Sequence, residues 1–255
     1  MVWLQRMENR NGIRFERLID DAPWIGDPRA LLQRFDEQGY VYFRRLIPAG
    51  RVLALRREIL EFARKIGWLD GLAPVEEARS RPGLRIGDYE DPEWLGMQAE
   101  IRSRPAFWDV ADCEEVHRAL SAATGRGGFV YDGMNTCRVV SSHPELAALP
   151  HQDAHYIHIF GEFFTGWIPF GDCPLELGAL AVLPGSHKWL LQPHEGEGIF
   201  KGGTRVEEDA VWMSADFEAG DFVLMQQHTI HRTFPNETGN RLRISGDFRY
   251  GLWDS

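Results

Sequence analysis

The sequence predicts a mainly β protein, a barrel buttressed on one side by N-terminal helices. Two observations carry this. Helical periodicity occupies the first half and strand-like runs the second, an order that segregates helices to one side of a sheet structure instead of interleaving them with strands. The 255 residues, 44% of them hydrophobic and nine of them tryptophan, also suffice for one core of barrel or sandwich size. We therefore expect a single domain over 1–255, with a helical buttress and lid over about 1–127 and the barrel core over about 128–255.

In chain order, Asp27-Pro28 before Arg29 to Phe35 reads as a helix start, with an acidic N-cap and proline at the first helical position, and Gly39 ends it. Tyr40 to Phe43 is a short strand. Ile47-Pro48 opens a second helix in which Val52, Leu55, Ile59, Phe62 and Ile66 form an apolar stripe, with Arg56, Arg57, Arg64 and Lys65 on the solvated side. From Leu72 to Glu93 the periodicity lapses around Pro74, Pro82, Gly83, Gly87 and Pro92, so this segment is a loop or lid. Pro105 to Ala123 reads as helix, closed by Gly125. Strands follow at Phe129 to Tyr131, Asn135 to Val140, Tyr156 to Trp167, Ala179 to Leu183, Phe222 to Met225 and Arg241 to Tyr250.

Composition narrows the function. A formal net charge of −10 argues against a nucleic-acid partner, which needs a basic surface. Cys113, Cys137 and Cys173 are widely spaced and odd in number, suggesting neither a disulfide framework nor a CxxC metal site. Met1 to Gly12 holds no apolar run of signal or membrane type. We expect a cytoplasmic protein with no membrane partner; the oligomeric state is not readable from these features.

The chemistry gathers around His151-Gln152-Asp153. On an extended strand His151 and Asp153 project to one face, because side chains alternate with a period of two, and can grip one ion together. A third ligand is available in the run from His228 to Asn236, where His228 and His231 compete. Two imidazoles and a carboxylate suit non-haem Fe(II), leaving coordination positions open. Further on, Arg241, Arg243 and Ser245 share a face of the last strand, where a guanidinium can take a carboxylate through paired hydrogen bonds. His155 shares parity with His151 and Asp153 but, on a strand, stands too far along to join them.

From Leu149 to Trp253 the sequence resembles the phytanoyl-CoA dioxygenase family of Fe(II)/2-oxoglutarate-dependent oxygenases. The resemblance rests on Pro150 to Tyr156, Trp167, Gly178 to Lys188, Pro193-His194, Gly220 to Leu224, and His231 to Asn236 with Arg241. It implies a double-stranded β-helix, the jelly-roll, cupin-like barrel, with iron inside its open end. By the same resemblance His231 is favoured over His228 as the distal ligand, Arg241 over Arg243 as the anchor of 2-oxoglutarate, and Thr233, Trp167 and His194 as further residues near the cosubstrate. The implied reaction consumes O2 and 2-oxoglutarate, releases succinate and CO2, and hydroxylates a C–H bond of a small molecule; halogenating relatives have a small residue where this chain keeps Asp153. We expect Tyr156, His155, Arg102 and Arg104, with the segment from Leu72 to Glu93, to shape the substrate pocket. The rival reading is a cupin-like metal-binding protein, an isomerase or a ligand-binding module, that does not use 2-oxoglutarate.

Overall fold

The computed structural model describes residues 7–131, 134–157, 161–196 and 202–252. In chain order the elements are β1 (Glu8–Arg10), β2 (Ile13–Arg17), α1 (Pro28–Gln38), β3 (Tyr40–Phe43), α2 (Ala49–Lys65), α3 (Pro92–Arg102), α4 (Pro105–Asp109), α5 (Glu114–Thr124), β4 (Gly128–Val130) and β5 (Thr136–Val140). There follow β6 (Phe164–Pro169), β7 (Leu180–Val182), β8 (His194–Glu195), β9 (Gly203–Thr204), β10 (Val211–Ser214), β11 (Phe222–Gln226), β12 (His231–Thr233) and β13 (Arg243–Leu252). One sheet runs β1-β2-β10-β7-β12 and the larger one β3-β11-β6-β13-β4, with β5 also paired to β13. Among the described residues no helix is long and apolar enough to cross a membrane.

The larger sheet has two occupied faces, and alternation assigns them. Val41, Phe43, Phe222, Leu224, Phe164, Ile168, Phe248 and Tyr250 join the buried stripe of α2 (Val52, Leu55, Ile59) and residues of α1, α3, α4 and α5 in one apolar cluster. The alternate residues Tyr40, Tyr42, Val223, Met225 and Trp167 pack with Phe15, Leu180, Trp212, Phe217 and Ile230 in a second cluster between the sheets. The sheets therefore face each other with the helices on one outer side, and the gap between them does not close into a continuous barrel.

The strands are not confined to the chain beyond residue 127. Strands β2 and β3, from the first half, complete both sheets: β2 pairs in parallel with β10, and β3 antiparallel with β11. The helix expected from Pro105 to Ala123 is two helices, α4 and α5, and α3 begins at Pro92 where the irregular segment ends.

Gly39 ties the helical side to the site. It ends α1 at φ 80°, and an added Cβ would overlap the His187 imidazole and lie 2.9 Å from Thr229 Oγ1. Its carbonyl accepts hydrogen bonds from Gln226 N at 2.9 Å and Thr229 Oγ1 at 2.7 Å. Left-handed strain plus overpacking gives an expected cost for Gly39→Ala of roughly 2–4 kcal/mol. Thermal denaturation should show a midpoint lower by about 10 °C for a chain of this length; an unchanged midpoint would mean that His187 moves aside at no cost.

Candidate active site

His151 and His231 face each other across an antiparallel bridge, exchanging backbone hydrogen bonds of 3.0 Å in both directions. Directly opposed residues put their side chains on the same face, and the two rings lie 4.2 Å apart between centroids. Each ring is oriented by a backbone carbonyl: His151 Nδ1 bonds Leu149 O at 2.7 Å and His231 Nδ1 bonds Thr229 O at 3.0 Å. A carbonyl can only accept, so both Nδ1 atoms carry a proton, and in the neutral ring this leaves Nε2 as the atom with the lone pair.

Asp153 completes the group, though not from an extended strand. It opens a 3-10 turn, Asp153–His155, and its Oδ1 lies 3.9 Å from His231 Nε2. One ligand atom from each of His151, Asp153 and His231 can be chosen so that all lie within 4.8 Å of one another. All three side chains are buried. Burial and the neighbouring His231 hold the His151 imidazole well below its ordinary pKa, keeping it neutral. Burial alone would raise the Asp153 carboxyl, but Arg249 and the two histidines outweigh it and hold the group well below the usual carboxylate range. Gln152, wholly buried, points the other way: its Nε2 donates to Leu190 O and His228 O, and its Oε1 accepts from Gln192 N. His228 thus enters this region through its carbonyl.

A narrow cavity opens beside the two imidazoles, lined also by Trp167, Thr233, Arg138, Arg243 and Asp247. Arg243 is 3% exposed, and its only hydrogen bond among the described residues is from Nη1 to Gly178 O at 3.2 Å. Burial pushes its pKa down to about 10. Asp247, the nearby carboxylate, is paired with Arg138, whose Nη1 also donates to the Tyr89 hydroxyl. Two residues along β13, Ser245 Oγ is buried with no hydrogen-bond partner. Thr233 Oγ1 accepts from Ala148 N at 2.9 Å, leaving its proton to donate.

The other expected residues are not all brought to this cavity. Arg241 does not line this cavity. It precedes β13, where a turn held by Asn236 and Thr238 to its backbone carries it outward and bridges it to Arg79, and it lines a separate surface pocket beside Arg56. His194 lies with the residues that follow the Asp153 turn: its Nε2 is 2.8 Å from the Tyr156 hydroxyl, and its ring is 5.0 Å from that of His155. Tyr156 is in edge contact with His151 at 5.8 Å, whereas His155 spends its Nε2 on Gln192 O at 2.7 Å. Arg102 and Arg104 are on the helical side of the larger sheet. Arg104 pairs there with Glu58 and Glu100, and Arg102 ends α3, whose Trp94 and Gln98 bond to β5 from outside. Of the strand expected from Tyr156 to Trp167, residues 158–160 lie outside the described residues, and β6 begins at Phe164. Arg138 and Asp247 in the cavity wall, and Thr165 and Arg249 beside Asp153, were not among the expected residues. A signal existed for two of them, since Arg243, Ser245, Asp247 and Arg249 alternate along one strand.

The sequence profile of the family described as phytanoyl-CoA dioxygenase (PhyH) matches residues 35–244. The 1-deoxypentalenic acid 11-beta-hydroxylase of Streptomyces exfoliatus is 26% identical over 247 residues, spanning 91% of this chain and 83% of its own. Peroxisomal phytanoyl-CoA dioxygenase of Homo sapiens is 24% identical over 226 residues, spanning 84% and 66%. Among solved structures, the epimerase SnoN in complex with Fe3+, alpha ketoglutarate and nogalamycin RO superposes with a TM-score of 0.60 at 24% identity, covering 88% of this chain and 83% of that one. EvdO2 from Micromonospora carbonacea var. aurantiaca, complexed with 2-oxoglutarate, gives 0.56 at 17% identity over 99% and 95%. At such identities the likeness of structure establishes the fold, a jelly-roll core.

Proposed function

The chain belongs to the phytanoyl-CoA dioxygenase family and is an Fe(II)- and 2-oxoglutarate-dependent oxygenase, and on that premise we propose that His151, Asp153 and His231 hold the ferrous ion and that Arg243 anchors 2-oxoglutarate. The donor set fits the ion. Both imidazoles have their Nδ1 protons tied to carbonyls, so Nε2 is free on each, and the carboxylate is ionised beside them. Bound there, ferrous iron with 2-oxoglutarate and O2 supplies an oxidant able to break an unactivated C–H bond, the cosubstrate leaving as succinate and CO2.

One observation carries the cosubstrate assignment: Arg243 is a buried guanidinium in the cavity wall with no carboxylate partner among the described residues. An unpaired buried charge is costly, and a carboxylate entering the cavity relieves that cost through charge-assisted hydrogen bonds. The Thr233 hydroxyl and the orphaned Ser245 Oγ stand ready as neutral partners of the same carboxylate. Trp167, 2% exposed and edge-on to Phe217 at 4.8 Å, walls the cavity and keeps water out. Tyr156, with His155 beside it, lines the substrate's approach. Residues of the segment from Leu72 to Glu93 come near through Tyr89, which meets Arg138.

Asp153 keeps a carboxylate where halogenating relatives have a small residue, which disfavours halogenation and leaves hydroxylation of a small molecule as the default reaction. The three free, buried cysteines accord with residence in a reducing cytoplasm. Candidate small molecules can be screened for stimulated succinate release. The product formed from a stimulating compound under 18O2 should gain one labelled oxygen; a product formed at the same rate without label would contradict hydroxylation.

A further inference from the structure

Arg249 lies on the inner face of β13, in register with Thr165 on β6, and is 3% exposed. Its Nη2 is 3.3 Å from Asp153 Oδ2. Thr165 Oγ1 donates to that same oxygen at 2.6 Å. Neither reaches Oδ1, the oxygen 3.9 Å from His231 Nε2. A carboxylate can meet a cation through one oxygen or through both, and a hydroxyl donor and a guanidinium charge held against one oxygen decide between these modes.

The rest of the guanidinium argues against a role in stability alone. Nε and Nη1 of Arg249 are buried without hydrogen-bond partners. A half-satisfied buried arginine is a poor stabiliser, and an apolar side chain of similar length often serves the fold as well or better. What Arg249 does supply is a buried positive charge 3.3 Å from one oxygen of the Asp153 carboxylate.

We propose that Arg249, acting with Thr165, is a positioning residue that restricts Asp153 to binding iron through Oδ1 alone, so that a coordination position stays available to 2-oxoglutarate. This rests on the assignment of Asp153 as an iron ligand. Without Arg249 the Asp153 carboxylate is free to turn and offer both oxygens, and the two-atom chelation of the cosubstrate then competes with it.

The test is anaerobic titration of the Fe(II)-loaded protein with 2-oxoglutarate, followed through the weak visible absorption of the iron–cosubstrate complex. Arg249→Met should stay folded, shift or weaken the band, and raise the 2-oxoglutarate midpoint at least tenfold. Arg249→Lys, which keeps a donor and the charge, should recover part of the parent's band. Thr165→Val, which changes no charge, should move the band in the same sense as Arg249→Met, and Thr165→Ser should not. Parent-like bands and midpoints within threefold for both Arg249→Met and Thr165→Val would overturn the proposal. If Arg249→Met does not fold, Thr165→Val decides alone. His231→Ala in parallel separates the two levels of inference: loss of the band there with no effect in the other two variants removes the positioning role only, whereas an undiminished band removes the iron-site assignment beneath it.

Discussion

Arg243→Ala is expected to raise the 2-oxoglutarate concentration needed for half-maximal turnover at least about a hundredfold, while Arg241→Ala leaves it within about threefold. Truncating one partner of a buried, hydrogen-bonded charge pair typically costs about 2–5 kcal/mol, and each 1.4 kcal/mol is a factor of ten in affinity. Arg243 meets the condition for the large end of that range because it is buried in the cavity wall and its carbonyl contact at Gly178 cannot neutralise it. Arg241 stands on the far side of the turn that leads into β13, next to Arg79 and Arg56. Steady-state kinetics with 2-oxoglutarate varied in both variants decide the matter. The reverse pattern would place the cosubstrate in the outer pocket.

Loss of any one member of the triad should remove 2-oxoglutarate turnover altogether. His231→Ala takes away one of the two imidazoles whose Nε2 lone pairs converge, and Asp153→Ala takes away the only carboxylate in the group. His228→Ala leaves these ligands intact. The backbone carbonyl of His228, which accepts from Gln152, survives that substitution, so activity within a few-fold of the parent is expected. Succinate formation in the three variants is the readout, and a fully active His231→Ala together with an inactive His228→Ala would exchange their roles.

The grouping of His151, Asp153 and His231 was legible because metal chemistry restricts residue types more than it restricts geometry. His151 and Asp153 come together although the local backbone is not the continuous strand that alternation assumed: His151 is fixed by its bridge to His231, and Asp153 turns in from a 3-10 segment. Arg241, which the resemblance favoured, stands outside the cavity that Arg243 lines. Counting parity back from Ser245 treats 241–245 as one strand, but pairing starts at Arg243, and the turn from Asn236 to Arg241 is set by side-chain bonds that periodicity does not reveal.

Strand β13 also inverts the ordinary reading of polarity. Ile244, Phe248 and Tyr250 face the helices, whereas Arg243, Ser245, Asp247 and Arg249 point between the sheets into the site. In an isolated strand the charged side would be assigned to solvent. Knowing that helices cover the apolar side requires the partner elements, which are distant in sequence. Strands β1 and β2 were missed for a related reason. Ile13 and Phe15 are too few to announce a strand, and β2 is secured by parallel pairing with β10, about two hundred residues away. Arg102 and Arg104 lie with α3 and α4 in the helical buttress that the element order announced, away from the cavity.

We propose that His151, Asp153 and His231 form one ferrous site beside the Arg243 cavity. The most direct measurement is the visible spectrum of the anaerobic protein with Fe(II) as 2-oxoglutarate is added. The parent should develop a weak absorption that saturates at one equivalent of iron, His228→Ala should reproduce it, and His231→Ala should show none. A parent spectrum without the band, or an undiminished band in His231→Ala, would contradict the claim.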